Sequence, residues 1–437
     1  MALRLTGEKR DVLSIGSDSG AISVLDFEGG TAKIVHCMTF GKTGCRRSTP
    51  GNYIAGDPKG RAVMISSIEK RKLVYVLNRD ATGKPTIASP LEAHRTRTIT
   101  FCTIGLDNGY DNPIFATLEL QYPDMEISDE TTESVDKQLA YYELDLGLNH
   151  VSRRWATTVH RSACCLAAVP GGADGPGGVL VGGEDWIEYL HENIASKPDF
   201  AVDMDAVAAK EYNKIICAFP RRELHPSNKG ILITTISVHR QKKSRFFALA
   251  QSELGDVYKV TLQTDPSDKS KVTGMTLSVL DTLPVANSLN VSKLGMLFVA
   301  AEFGDHHLYQ FERIDLPDAP TCTNEDTRKA FLDSSVVKES EFLTTEMASK
   351  IAPKFTPSSL KNLRKVYTMD NPSPTTGVLV GELAGNEVSP QIYTLAGSGP
   401  RSSLRILRHG ASVTELAVSE LPGVPGGIFT IQRSTRV

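Results

Sequence analysis

The chain has 437 residues, enough for one large repeat-built domain or two to three ordinary ones, and its 40% hydrophobic and 23% charged residues suit a packed core. With 48 basic against 51 acidic residues the net charge is −3, which argues against a general electrostatic grip on nucleic acid and leaves room only for local basic patches. The seven cysteines (Cys37, Cys45, Cys102, Cys164, Cys165, Cys217 and Cys322) include no CxxC pair, so they suit neither a disulfide framework nor a zinc site and read as reduced thiols.

The N-terminus, MALRLTGEKRDVLSIGSDSG, lacks the apolar stretch of a signal peptide. No run approaches the ~18 apolar residues needed to cross a membrane. A soluble intracellular protein is expected. One pattern then recurs along the chain: an apolar run, a turn with small and polar residues, and an alternating run. It appears as LSIGSDSGAISVLDF from Leu13 and IAGDPKGRAVMISSI from Ile54. A looser copy joins IFATLELQY from Ile114 to QLAYYELDL from Gln138, split by an acidic insertion at 123–136. The pattern returns as LVGGEDWIEYL from Leu180, FALAQSELGDVYKVTL from Phe247, FVAAEFGDHHLYQFE from Phe298 and YTLAGSGPRSSLRIL from Tyr393. Between the copies, KLVYVLNR from Lys72, GILITTISVH from Gly230 and MTLSVLD from Met275 read as further strands. Helical candidates are few: AVDMDAVAAKEY from Ala201 and the 344–354 region. The 316–360 span, rich in Asp, Glu, Thr, Ser and Pro, reads as a long excursion, part helical and part disordered.

Each copy predicts two antiparallel strands. The first is apolar enough to be covered on both faces, and the second alternates so that one face can meet water. Repetition of one hairpin at roughly blade-length spacing predicts an all-β fold, a WD40-like β-propeller of about six or seven four-stranded blades, in preference to a two-sheet sandwich. The expected division is a first propeller over 1–395, with insertions at 123–136, 192–218 and 316–360. The last strands and the start of a second propeller follow over 396–437.

The chemistry-bearing motifs do not assemble a catalytic site. TFGKTGC from Thr39 lacks the first glycine of a phosphate loop, whose place His36 takes. His306 and His307 are adjacent, so a strand points them to opposite faces. Glu184 and Asp185 fall in a hairpin turn, where carboxylates bond to backbone. No catalytic residue, metal ligand or cofactor is expected. Basic clusters remain at Arg46 and Arg47, at Arg221 and Arg222, and over the 401–408 segment. Arginine serves both partner contact and pairing between blades. Arg46, Arg47, Arg401, Arg405 and Arg408 are the candidate partner-binding residues, with Arg401 and Arg405 on one face of a strand and Arg408 on the other.

Several long blocks resemble a known family: FGKTGCRRSTPGNYIAGDPKGRAVMISSIEKRKLVYVLNRD from Phe40, SPLEAH from Ser89, YYELDLGLNHVSRRW from Tyr141, VPGGADGPGGVLV from Val169, GSGPRSSLRILRHG from Gly397 and SELPGVP from Ser419. These are similar to the large β-propeller subunit of splicing factor 3b, from about Ile15 to Ile431. The resemblance implies a non-enzymatic scaffold in the U2 small nuclear ribonucleoprotein, which supports branch-site recognition in the nucleus. The implied partners are a helical-repeat subunit and a very small subunit, with RNA contact mostly indirect. The alternative is a propeller adaptor of the same superfamily, in a DNA-damage ubiquitin ligase or in mRNA 3′-end processing. Members of the family are roughly three times longer and carry three propellers. The chain is therefore expected to start after the first strands of its first propeller and to be truncated. The implied consequence is an open ring, with apolar faces exposed on its first and last blades.

Overall fold

The computed structural model describes residues 2–3, 5, 11–16, 21–28, 31–39, 53–69, 71–81, 85–93, 95–107, 109, 111–122, 135–192, 215–241, 245–314, 317–333, 343–357, 359–381, 391–397 and 403–407. The calls on 123–134, on the helix near Ala201 and on the phosphate-loop-like segment after Thr39 lie outside them. The chain divides into two compact units, Met1–Asn371 and Pro372–Val437.

The first unit is a succession of antiparallel meanders. Sheet 1 holds β1 (Ala2–Leu3), β2 (Val12–Gly16), β3 (Ala21–Glu28) and β4 (Thr31–Thr39), paired in that order. Sheet 2 holds β5 (Tyr53–Gly56), β6 (Ala62–Ser66) and β7 (Lys72–Arg79), with β8 (Pro85–Ile87) and β9 (Leu91–Glu92) both on β7. Sheet 3 is β10 (Thr98–Leu106), β11 (Ile114–Gln121), β12 (Lys137–Asp145) and β13 (His150–Val159). Sheet 4 is β14 (Cys165–Ala168), β15 (Val179–Gly182), β16 (Trp186–Leu190) and β17 (Ile215–Ala218), so the 192–218 segment ends in a regular strand. After the short β18 (Arg221–Arg222), sheet 5 runs through β19 (Ile233–Arg240), β20 (Phe246–Ser252), β21 (Asp256–Thr264) and β22 (Val272–Thr282). Sheet 6 is β23 (Ala286–Val291), β24 (Met296–Ala301), β25 (His306–Phe311) and, after an excursion, β28 (Leu363–Met369).

All seven recurrent copies form antiparallel hairpins. Six of them join the second strand of a sheet to the third, whereas the copy from Ile54 joins the first to the second, β5 to β6. The short spacing of the first two copies therefore understates the length of a blade.

Alternation along these strands sends neighbouring side chains into different cores, and each core lies between consecutive sheets. Ile22 and Val24 of sheet 1 meet Val63 and Ile65 of sheet 2. Ala62 and Met64, on the opposite face of β6, meet Phe115 and Tyr142 of sheet 3. Leu118 and Tyr141 then pack with Val181 and Trp186 of sheet 4. Leu180 and Tyr189 pack with Ala248 and Tyr258 of sheet 5. Leu249 and Val257 pack with Leu297 and Tyr309 of sheet 6. The first strands β5, β10, β14, β19 and β23 abut in turn and form the inner edge of the stack. At Gly105 the approach is so close that a Cβ would stand 1.9 Å from the Gly56 carbonyl oxygen, which only glycine permits. This serial stacking along a shared inner edge is the propeller arrangement.

Third strands depart from the sequence expectation in the interior. β16 was expected to show one face to water, yet Trp186, Ile187, Glu188 and Tyr189 are all buried. Sheet 4 has a neighbour on each side, so both faces of β16 pack against protein.

The 316–360 excursion is largely regular where described. β26 (Thr321–Thr323) adds antiparallel to β22. Thr323 and Asp326 then exchange hydrogen bonds, 3.0 and 3.2 Å, that cap α1 (Asn324–Asp333). Thr344 caps α2 (Thr345–Ile351), and β27 (Lys354–Phe355) pairs in parallel with β18. The excursion supplies Cys322, Leu343 and Ala348 to the core between sheets 3 and 4 and covers the outer edges of β17 and β22.

The second unit contains β29 (Thr375–Gly381), β30 (Gln391–Ala396) and β31 (Ser403–Leu407) in one antiparallel meander. The 395/396 boundary expected from sequence falls on the last residue of β30, inside this sheet.

Candidate protein-interaction site

The polar residue of the recurrent turn has a definite task. Asp57 accepts two hydrogen bonds from Arg61, 2.8 and 2.9 Å, and is itself 2% exposed. Asp256, wholly buried, takes the same forked contact from Arg222, 2.7 and 2.9 Å, and a further bond from the Thr282 hydroxyl. Bidentate guanidinium–carboxylate pairs are strong and fix geometry. Asp185 sits at φ +70° in the β15–β16 turn and accepts the Ile231 N–H at 2.9 Å. Burial pushes its carboxyl up, and Arg221 at 3.7 Å opposes that shift. Asp305 accepts the Asn371 N–H at 2.9 Å. Asp57 thus braces its own hairpin turn, while Asp185, Asp256 and Asp305 tie turns to a nearby loop or connecting strand of the same unit. Arg221 and Arg222, one of the basic clusters, are strand residues paired inside the fold.

A second buried pair joins sheets 2 and 3. The Lys72 ammonium donates to Glu119, which also accepts from Thr117 at 2.7 Å and from the Tyr142 hydroxyl at 3.2 Å. Burial pushes the Lys72 pKa down, and the Glu119 charge opposes it. Sequence reading missed this pair, because Lys72 stands before the apolar run 73–77 of β7 and Glu119 sits on another strand.

The histidine expectation matches the geometry: His306 lies 5.8 Å from the Phe298 ring, while His307 is buried and bonds Thr368 at 3.2 Å. The contact nearest to a nucleophile and base is His160 Nδ1 to Ser162 Oγ, 2.7 Å. That hydroxyl oxygen already accepts from the Glu184 N–H and Trp186 Nε1, each at 3.2 Å, so it serves as a joint of the turn. A cleft of about 420 Å³ between β22 and the excursion is lined by Leu280, Asp281, Pro320, Phe355 and Lys361. Its Asp281 carboxylate is committed to the N–H groups of Lys361, Asn362 and Leu363 at 2.8–2.9 Å. Among the described residues no group of three or more His, Cys, Asp and Glu is placed to hold a metal.

Of the candidate partner-binding arginines, Arg46, Arg47, Arg401 and Arg408 lie outside the described residues. Arg405 is on β31, half-buried, and its Nε donates to Ser403 Oγ at 3.0 Å on the same strand face. Leu404 and Ile406 beside it are exposed, as are Val378, Leu379 and Val380 on β29.

Apolar surface also marks the two end sheets of the first unit. On sheet 1 the outward row is Leu13, Leu25 and Ile34, and Ile34 is 62% exposed. On sheet 6 it is Phe298, Leu308 and Tyr367, and Tyr367 is 59% exposed. Grouped exposed apolar residues are characteristic of protein-contact surface.

The comparisons with known proteins agree with this architecture. The sequence model described as the RSE1/DDB1/CPSF1 first beta-propeller matches residues 1–366. Spliceosome-associated protein 130 A of Arabidopsis thaliana is 44% identical over 436 residues, covering 99% of this chain and 33% of its own length. Splicing factor 3B subunit 3 of Danio rerio is 42% identical over 439 residues, with 99% and 33% covered. Pre-mRNA-splicing factor prp12 of Schizosaccharomyces pombe is 42% identical over 435 residues, with 98% and 34% covered. The chain spans about a third of the length of these curated relatives. Serially stacked meanders over the matched span and identity at this level lead to one assignment: the chain belongs to the RSE1/DDB1/CPSF1 β-propeller family.

Proposed function

We propose that the chain acts as a non-enzymatic protein-binding scaffold in the splicing factor 3b assembly of the U2 small nuclear ribonucleoprotein, in the nucleus. The observation that carries this reading is 42–44% identity, across nearly the whole chain, to proteins named as splicing factor 3B subunit 3 and spliceosome-associated protein 130. The geometry supports it: the turn carboxylates and the Ser162 hydroxyl are committed to holding the fold, while apolar rows lie exposed at the end sheets. The near-neutral charge favours protein partners over direct RNA contact. The proposed partners are the helical-repeat subunit and the very small subunit of that assembly, with Arg46, Arg47, Arg401, Arg405 and Arg408 as contacts. We place the start of the next propeller at Pro372, the first residue of the second compact unit.

Affinity purification of the tagged chain from nuclear extract, read by quantitative mass spectrometry, tests the reading. Enrichment of splicing factor 3b subunits is expected. Enrichment instead of ubiquitin-ligase or 3′-end-processing subunits would overturn it and favour the adaptor alternative.

A further inference from the structure

Two thiols stand at the seam between sheets 4 and 5. Cys164 directly precedes β14 and Cys165 opens it. Cys164 Sγ lies 3.4 Å from the Gly182 carbonyl oxygen and 3.1 Å from that of Ile233. Cys165 Sγ lies 3.8 and 3.9 Å from the same two oxygens. Sulfurs that share both acceptors stand side by side. Gly182 makes the space, since a Cβ there would stand 2.6 Å from Cys165 Sγ. Both cysteines are partly exposed, unlike the buried Cys217 and Cys322.

We infer that Cys164 and Cys165 form a dithiol which hydrogen peroxide oxidises reversibly to a vicinal disulfide. The thiolate is the attacking form. The neighbouring Cys165 thiol and the Lys137 ammonium, anchored on the Ala163 carbonyl at 2.6 Å, lower the Cys164 pKa against the opposing effect of burial, while the Gly182 and Ile233 carbonyls hold the resting thiol. The Cys164 sulfur attacks one peroxide oxygen; the S–O bond forms, the O–O bond breaks, and the departing hydroxide takes a proton to leave as water. The Cys165 sulfur then attacks the sulfenic sulfur; the S–S bond forms, the S–O bond breaks, and hydroxide leaves with the Cys165 proton as a second water. Two thiols are oxidised and one peroxide is reduced.

Reversibility follows from geometry. Adjacent Cα atoms are ~3.8 Å apart, short of the ~4.4–6.8 Å that an unstrained disulfide prefers, so the bond is easily reduced by a thiol. While it stands, both sulfurs leave the Gly182 and Ile233 carbonyls, and the seam between sheets 4 and 5 loses those contacts.

The test is peptide mass spectrometry of the full chain after hydrogen peroxide. The Cys164–Cys165 peptide should lose two hydrogens, regain them with dithiothreitol, and behave the same in C102S. In C165S a dimedone-trappable sulfenic acid should appear at Cys164 instead. The inference is overturned if the pair stays reduced while the exposed Cys37 oxidises, or if the product joins either cysteine to Cys102.

Discussion

Sheets 2 to 5 and sheets 1 and 6 are built from the same hairpin, yet they bury it differently. β6 and β15 are buried at every position, because each faces a neighbour on both sides. β3 and β24, by contrast, alternate between buried and half-buried residues. The difference shows that burial here belongs to a strand's place in the stack as much as to its own pattern. An interior sheet spends both faces on cohesion, whereas an end sheet keeps one face available.

Breaking an interior joint should have the largest effect. Glu119→Ala strands the buried Lys72 ammonium between sheets 2 and 3, and a loss of about 3–5 kcal/mol is expected. Chemical denaturation measures it; restoration of most of that loss by the further change Lys72→Met would show that the unpaired charge is the cause. Next comes the apolar interior. Leu249→Ala on β20 should cost about 2–5 kcal/mol through the cavity it leaves between sheets 5 and 6. The smallest effect belongs to the end face: Tyr367→Ser, at a largely exposed position, should stay within about 1 kcal/mol. Equal losses at Leu249 and Tyr367 would erase the distinction between interior and end sheets.

Much of this was legible in the sequence, and the reasons are local. Leu180 and Val181 open a copy whose first run read as covered on both faces, and β15 is buried throughout, whereas Ala62–Ser66, the second run of its copy, was expected to show one face to water and is buried as well. Gly255 adopts φ +87° and could not carry a Cβ beside the Leu283 carbonyl, so the turn between β20 and β21 announced itself. The turn aspartates were visible as residues, but apart from Arg61, four residues after Asp57, their arginine and backbone partners come from elsewhere in the chain and no spacing predicts them. β18 and β27 contain only two residues each, too few for any periodicity to register. The alternation of β16 misled because Glu188, polar by type, is 4% exposed. Among the candidate contact arginines, Arg405 alone falls in described structure, where Ser403 already takes one of its hydrogen bonds.

Hydrogen–deuterium exchange on the intact chain probes the stacking most directly. If consecutive sheets share cores in the order described, amides of β6, β15 and β20 should exchange slowest, and those of β28, at the edge of sheet 6, much faster. Protection of β28 equal to that of β20, or rapid exchange throughout β6 and β15, would contradict the stacked arrangement.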